Sequence, residues 1–374
     1  MKKKSFNQPA GFWQRLHQLF FAYTLLTYGL TYWTPTGHWA AGFMMLSLPV
    51  IVIVHACFFV WFLSFNRSKI WLSAIALLLS FPFWARTYGS AYLQLKKTEV
   101  PSNESITIMN YNVMLFDVMH HLDKINPQNA LDMVEWATTV EADIKCFQEF
   151  YNYDKGSDFR LLSQLKAVGY RHKALLIPAN TPNEQNFFGM AIVSKFPMIA
   201  QGSQEFGDQN GLVWADIRLK TRTIRVVNVH FRSLVVRFNK LGAAYKNRDY
   251  QEGKAATKTV LAKLKYGFEQ HAAEWEQVRK YVEESPYPVL VCGDFNETPY
   301  SYLYGKFRQK LSNAFEEAGH GFGFSYKNTP RFIRIDNQFF DPKAFQIQQF
   351  DTRRDIKFSD HYPVFGKYVL RYEL

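Results

Sequence analysis

At 374 residues the chain is long enough for one large domain or two ordinary ones, so core size sets no limit. Three cysteines, with Cys57 inside an apolar run and Cys146 and Cys292 in expected buried strands, exclude a disulfide framework and leave the latter two as core residues. The formal charge of +12 is uneven: up to Val100 nine Lys/Arg face only Glu99, net +8, which leaves +4 for the remainder and no strong nucleic-acid signature.

Between Arg15 and Arg67 there is no Asp, Glu, Lys or Arg, and the stretch is dense in Phe, Leu, Val, Ile, Trp and Tyr. Pro35 and Gly37 divide it, which predicts membrane spans over about 19–33 and 39–65, with a third over about 70–95 in which Arg86 has to snorkel to the interface. No small-residue cleavage site follows the first span, so a signal peptide is rejected. Residues 1–98 are thus expected to be a membrane anchor of three transmembrane helices. Lys2, Lys3, Lys4 and Arg15 precede the first span, and Arg67 and Lys69 join the second to the third. Positive-inside then keeps the N-terminus cytoplasmic and puts the rest outside, an integral protein of the inner or plasma membrane with a periplasmic domain. Lys96 and Lys97 argue against this orientation.

From 99 to 374 short apolar runs alternate with amphipathic helices and turns, the pattern of an α/β domain. Strands are predicted over Ile106 to Val113, Ile144 to Phe147, Met190 to Ser194, Val213 to Leu219, Ile224 to Val229, Val289 to Cys292 and Ile335 to Phe340. Helices are predicted over Ala130 to Val140, Phe159 to Val168 and about Thr257 to Glu284.

Polar groups recur where these strands end, which is where α/β sheets place ligands. The run Val289-Leu-Val-Cys-Gly293-Asp294-Phe295-Asn296 is a buried strand stopping at a glycine that presents a carboxylate and a carboxamide, although Gly-Asp-x-Asn is also an ordinary turn. Asn112, the pair Gln148-Glu149, the end Asn228-Val229-His230, Arg334-Ile335-Asp336 and Ser359-Asp360-His361 complete the set. Taken singly, each has a bland reading as a surface amide, a solvated acid or a structural histidine. Together they supply hard carboxylate oxygens for Mg²⁺ or Mn²⁺, with amides and imidazoles for a phosphate and a water. No Cys/His pair has zinc-ligand spacing, and no phosphate-cradling Gly-x-x-x-x-Gly-Lys loop is present.

In sequence and order these motifs resemble the endonuclease/exonuclease/phosphatase superfamily with the deoxyribonuclease-I-like fold, from about Ile106 to the C-terminus; Gly189-Met-Ala-Ile-Val-Ser194-Lys195-Phe-Pro197 adds to the likeness. The resemblance implies a four-layer α-β-β-α sandwich after the helical anchor. It implies Glu149 as main metal ligand, with Asn112 and Asp360 as further metal-site residues and Asn112 also holding the phosphate. It makes His361 the general base, oriented by Asp336 or Asp360. Asp294 contacts the water or leaving group, Asn296 binds a phosphate oxygen, and His230 donates to the developing phosphorane.

The implied activity is metal-dependent phosphoester hydrolysis, with a lipid, sugar-phosphate or nucleic-acid substrate left open. A catalytically inactive copy acting as a membrane-tethered binding module is the alternative. No obligate protein partner is implied beyond the lipid bilayer. From Arg232 to Gln270 nine Lys/Arg face Asp249, Glu252 and Glu269, net +6. A solvated helical face explains that; the sharper expectation has Arg232, Arg237, Lys240, Lys246 and Arg248 approach an anionic substrate or lipid headgroups.

Overall fold

The computed structural model describes residues 10–90, 105–179, 181, 183–207, 209–234, 250–328 and 332–371. The expected boundary at 98/99, Lys96 and Lys97, and the basic residues Arg237, Lys240, Lys246 and Arg248 lie outside these.

The N-terminal apolar stretch forms helices α1 (Ala10–Trp33), α2 (Trp39–Leu46), α3 (Leu48–Phe65), α4 (Trp71–Leu79) and α5 (Trp84–Thr87). The three-span expectation finds support in one helix: among the described residues only α3 is long and apolar enough to cross a membrane. Helix α1 has the length, but Arg15, His17, Gln18 and three threonines dilute its apolar character. The second expected span breaks at Ser47, with Pro49 in the first turn of α3. Its first part, α2, does not face outward uniformly: Ala41 and Met45 are buried against Trp275, Val278 and Val291 of the following domain. The third expected span stops at Ser80, passes through a tight turn containing Pro82, and leaves α5 for a short strand, β1 (Gly89–Ser90).

Arg86 does not snorkel. It is 2% exposed, donates to the Pro299 carbonyl and lies over the rings of Phe83 and Tyr304. Polar groups inside the bundle satisfy one another: the Ser73 hydroxyl meets His17 Nε2 at 3.1 Å and His55 Nδ1 at 3.4 Å, and His55 Nε2 meets the Thr24 hydroxyl at 2.9 Å.

The remainder is built from β2 (Ser105–Asn112), β3 (Ile144–Tyr153), β4 (His172–Leu176), β5 (Asn186–Ser194), β6 (Met198–Gly207), β7 (Asn210–Arg218), β8 (Thr223–His230), β9 (Val289–Asp294), β10 (Ser312–Asn313), β11 (His320–Gly321), β12 (Asp336–Phe340), β13 (Phe345–Thr352) and β14 (Val364–Leu370). One six-stranded sheet runs β13-β14-β2-β3-β5-β4, the other β10-β12-β9-β8-β7-β6, and β1 pairs with β11. The four-layer sandwich is observed. Ile106, Ile108, Ile144 and Cys146 of one sheet meet Val213, Val226, Leu290 and Cys292 of the other in a single core. Helix Pro127–Thr139 covers the first sheet through Met133 and Val134, and the long helix Tyr250–Glu283 covers the second through Trp275 and Val278.

The inner faces carry a gradient that explains where the site lies. Alternate residues of a strand share a face, and on four strands that face passes from apolar to polar to site residue: Ile108, Asn110, Asn112 on β2; Val226, Asn228, His230 on β8; Leu290, Cys292, Asp294 on β9; and, running backwards, Phe340, Gln338, Asp336 on β12. The buried amides of the middle rank bond across the sandwich, Gln148 to Asn228 and Gln338 Nε2 to Asn110 Oδ1 at 2.9 Å, so the layers stay joined while they open toward one end.

Candidate active site

Strand register assembles most of the cluster. His230 on β8 pairs with Asp294 on the parallel β9, and Asp294 pairs with Asp336 on the antiparallel β12, so three adjacent strands put these residues side by side. Gly293 makes this possible: its φ is +138°, and a Cβ there would lie 2.0 Å from the Val229 carbonyl oxygen. The opposite sheet contributes Asn112 and Glu149. Glu149 sits where the β3–β5 register breaks, at φ +49°, a conformation that aims its side chain at the open end. His361 enters from the loop before β14.

Asn112 Nδ2 donates to Glu149 Oε1 at 3.0 Å and to Asp294 Oδ2 at 3.2 Å, bridging the carboxylates of the two sheets. Its side-chain carbonyl oxygen accepts from the Met114 N–H, which uses one of that oxygen's two lone pairs. His230 Nε2 lies 3.8 Å from Glu149 and 3.7 Å from Asp294, too far for direct hydrogen bonds and close enough for an oxygen between.

His361 Nδ1 is 2.9 Å from Asp336 Oδ2, while its Nε2 faces Asp294 Oδ2 at 3.6 Å. The partner of His361 is therefore Asp336. The Asp360 carboxylate accepts from the Ser359 hydroxyl and Asn328 Nδ2, so of the two acids offered Asp336, not Asp360, is the hydrogen-bond partner of His361. Asn296, at φ +50°, donates its side-chain amide to the Phe231 carbonyl and its backbone N–H to Asp294 Oδ1. Arg232 does not join the cluster; its guanidinium lies 3.8 Å from Glu274 and over the Tyr266 ring.

The electrostatics follow from burial. Desolvation pushes Asp294 up to about 6, with Asp336 adding to the rise and the two histidines opposing it. Burial works against a charged His361, yet Asp336 and Asp294 outweigh it and raise that imidazole to about 10. Uncompensated negative charge is thus a property of the site.

The donor set fits a hard divalent cation. Asp336 Oδ1 and His230 Nδ1 are buried without hydrogen-bond partners, and ligand atoms of Asp294, Asp336 and His361 lie within 4.8 Å of one another. Within that triangle, however, Asp336 and His361 engage each other and all three groups are buried. A Mg²⁺-type ion keeps several waters and prefers oxygen ligands, so Glu149, whose side chain is 32% exposed beside Asp294, is the better-suited ligand.

Several contributors carry no sequence signal. Ser325 Oγ accepts the N–H groups of Ile335 and Asp336, and the Tyr326 ring packs edge-on to His361 at 5.0 Å. Behind the site, His271 of the long helix bonds to Glu297 at 2.7 Å and to the Arg232 carbonyl at 2.6 Å, tying together the loops that follow His230 and Asp294.

No curated protein matches the chain. Among solved structures, the endonuclease/exonuclease/phosphatase from Beutenbergia cavernae DSM 12333 is 16% identical over 72% of this chain and 72% of that one, with a TM-score of 0.50, and supports the fold. That from Bacteroides vulgatus is 16% identical over 72% and 100%, TM-score 0.49, and the human Nocturnin catalytic domain with bound sulfate is 14% identical over 73% and 97%, TM-score 0.45. Residues 11–87 match a domain of unknown function. Residues 109–361, which carry every strand end of the cluster, match the Endonuclease/Exonuclease/phosphatase family, and the chain belongs to that family.

Proposed function

We propose that the protein is a membrane-anchored, divalent-metal-dependent hydrolase of phosphoester bonds, working by in-line attack of water on phosphorus. The observation that carries this reading is the convergence of Glu149, Asp294, Asp336, His230 and His361 at the open end of the sandwich. His361, held at Nδ1 by Asp336, takes the proton of the attacking water at Nε2, on the side facing Asp294. Asp294 contacts the water or the leaving oxygen. His230 and Asn296 hold the phosphoryl oxygens as charge builds there. Asn112 keeps the Glu149 and Asp294 carboxylates together. Mg²⁺ or Mn²⁺ bound through Glu149 would supply positive charge against the phosphoryl oxygens and the carboxylates that otherwise keep His361 protonated. The hydroxyl of water ends on phosphorus, and the P–O bond breaks with a proton passing to the departing oxygen.

Anchoring in an inner or plasma membrane, with the catalytic domain extracytoplasmic, belongs to the same reading. It is supported by α3, an 18-residue apolar helix of which only 17% is buried, and by six of the nine tryptophans. Trp13, Trp61 and Trp71 lie at the end of the bundle where His17 packs on Phe62 and bonds to Ser73. Trp33, Trp39 and Trp84 lie at the other, where Tyr28 packs on Phe83 and α2 meets the catalytic domain. Along α1 the distance from Trp13 to Trp33 is about 30 Å, one hydrocarbon thickness, and interfacial tryptophan belts mark such boundaries. Arg15, Arg67 and Lys69 sit at the end far from the catalytic domain, which fits positive-inside. The test is Mg²⁺-dependent hydrolysis of bis(p-nitrophenyl) phosphate by the full-length chain, lost on chelation and in Glu149→Gln.

A further inference from the structure

A file of aromatic rings leads from the last apolar helix to the site. Phe81 and Trp84 are exposed at the near end of the bundle, 6.1 Å apart between ring centres. Tyr88 follows, and directly after it β1 pairs with β11, Gly89 opposite Gly321 and Ser90 opposite His320. That pairing sets Tyr88 5.3 Å from Phe322; Phe322 stacks on Phe324 at 5.2 Å, and Phe324 meets Phe332 at 5.5 Å. Phe322 is 50% exposed and Phe332 77%, in a chain whose interior is otherwise well supplied with phenylalanine.

Exposed rings in such number need an apolar partner. Their placement identifies it, because the file begins at the tryptophan-bearing end of the helices and is continuous with their outward apolar surface. The same segment is rigidly joined to the chemistry. Between Phe324 and Tyr326, Ser325 Oγ receives the N–H groups of Ile335 and Asp336, its carbonyl receives the Tyr362 N–H, and Tyr326 lies against His361. Beside it Lys327, exposed and steered by the Lys357 carbonyl oxygen at 2.9 Å, provides a cation at the mouth for a phosphate.

We infer that this aromatic ridge is seated in the bilayer surface and that the site draws its phosphoester from the membrane, a phospholipid-class amphiphile whose phosphate reaches His361 while its acyl chains remain among Phe322, Phe324 and Phe332. This rests on the hydrolase reading above for its chemistry, but not for the lipid contact. The reaction consumes one water, whose hydroxyl goes to phosphorus and whose remaining proton goes to the released alcohol oxygen.

Two measurements on the full-length chain in vesicles of phosphatidylethanolamine and phosphatidylglycerol separate these parts. In a C57S background, spin labels at F322C and F332C should be reached by oxygen and shielded from a water-soluble nickel chelate, unlike a label at V168C, exposed at the end of helix Leu161–Ala167, which covers the sheet of β2, β3 and β5; Cys146 and Cys292 are buried and stay unlabelled. Equal nickel access at all three positions overturns the lipid contact. In the paired variant F322S/F332S the ratio of phospholipid to bis(p-nitrophenyl) phosphate turnover should fall about ten-fold, the order expected for losing buried aromatic area. An unchanged ratio overturns the substrate class. If the labels are lipid-immersed while neither substrate is cleaved, the hydrolase reading fails and the lipid contact stands.

Discussion

The helical bundle and the open end of the sandwich both bury polar groups, and they treat them in opposite ways. In the bundle His17, Ser73, His55 and Thr24 form a closed series of hydrogen bonds between neutral partners, which fixes helix against helix. At the sandwich opening, charged groups face one another with bonds to spare: Asp336 Oδ1 and His230 Nδ1 lack partners, and His230 Nε2 stands 3.7 to 3.8 Å from two carboxylates. Satisfied burial stabilises; unsatisfied burial is held in place by the surrounding fold and is available to a ligand.

The comparison is broken most sharply at the pair Asp336–His361. Asp336→Asn keeps the shape but removes the charge that orients the imidazole, and a loss of about 10²- to 10⁴-fold in phosphodiester turnover is expected. Circular dichroism and thermal melting should show the fold retained, since the substitution relieves repulsion with Asp294.

A middle-sized effect is expected where the two regions touch. Arg334 donates to the Arg86 carbonyl and to Asn337, while the Arg86 guanidinium serves Pro299, so the end of the helical bundle is built into the strand that carries Asp336. Arg86→Met leaves the Pro299 carbonyl without its partner and should cost about 1–3 kcal/mol in thermal or denaturant stability, with a smaller change in turnover.

The smallest effect on turnover is expected at a buried lysine that belongs to structure. Lys145 Nζ donates to the carbonyls of Ala137 and Thr138 at a helix end and lies over the Tyr170 ring. Burial, with Lys195 adding to it, lowers this ammonium to about 7. Between pH 7 and the ordinary lysine range the unfolded chain holds a proton that the folded chain has shed, so stability climbs with pH across that window and is lost as pH falls through it. Lys145→Met should flatten that slope in melts taken from pH 7 to 10 without altering the metal requirement.

Much of this was legible in the sequence. The site strands were, because β2, β8 and β9 combine apolar runs with a polar residue at a fixed end, and the Gly293-Asp294-Phe295-Asn296 turn ended where expected. Strands β4 and β6 were not: both are sheet edges, and β6 alternates small and polar residues with one face in solvent. Strands β13 and β14 were also missed, the latter because Gly366 and Lys367 interrupt its apolar run. Asp336 and Asp360 could not be separated, since adjacency to His361 in the chain says nothing of which way a carboxylate turns. The helical stretch was legible only in part. Composition alone reads α2 and α5 as apolar all round, whereas Ala41, Met45 and Arg86 are packed on the α/β domain.

The central claim is that Glu149 and the Asp294, Asp336 and His361 groups act together on a metal-assisted hydrolysis. Its most direct measurement is the Mg²⁺ titration of bis(p-nitrophenyl) phosphate turnover by the wild-type chain and by Glu149→Gln, with Asp294 and His361 intact. Saturable, Mg²⁺-dependent turnover in the wild type and none in Glu149→Gln is predicted. Turnover that persists in Glu149→Gln with the same Mg²⁺ dependence would contradict the assignment, and a wild type inert at every Mg²⁺ or Mn²⁺ concentration would leave the fold as a binding module.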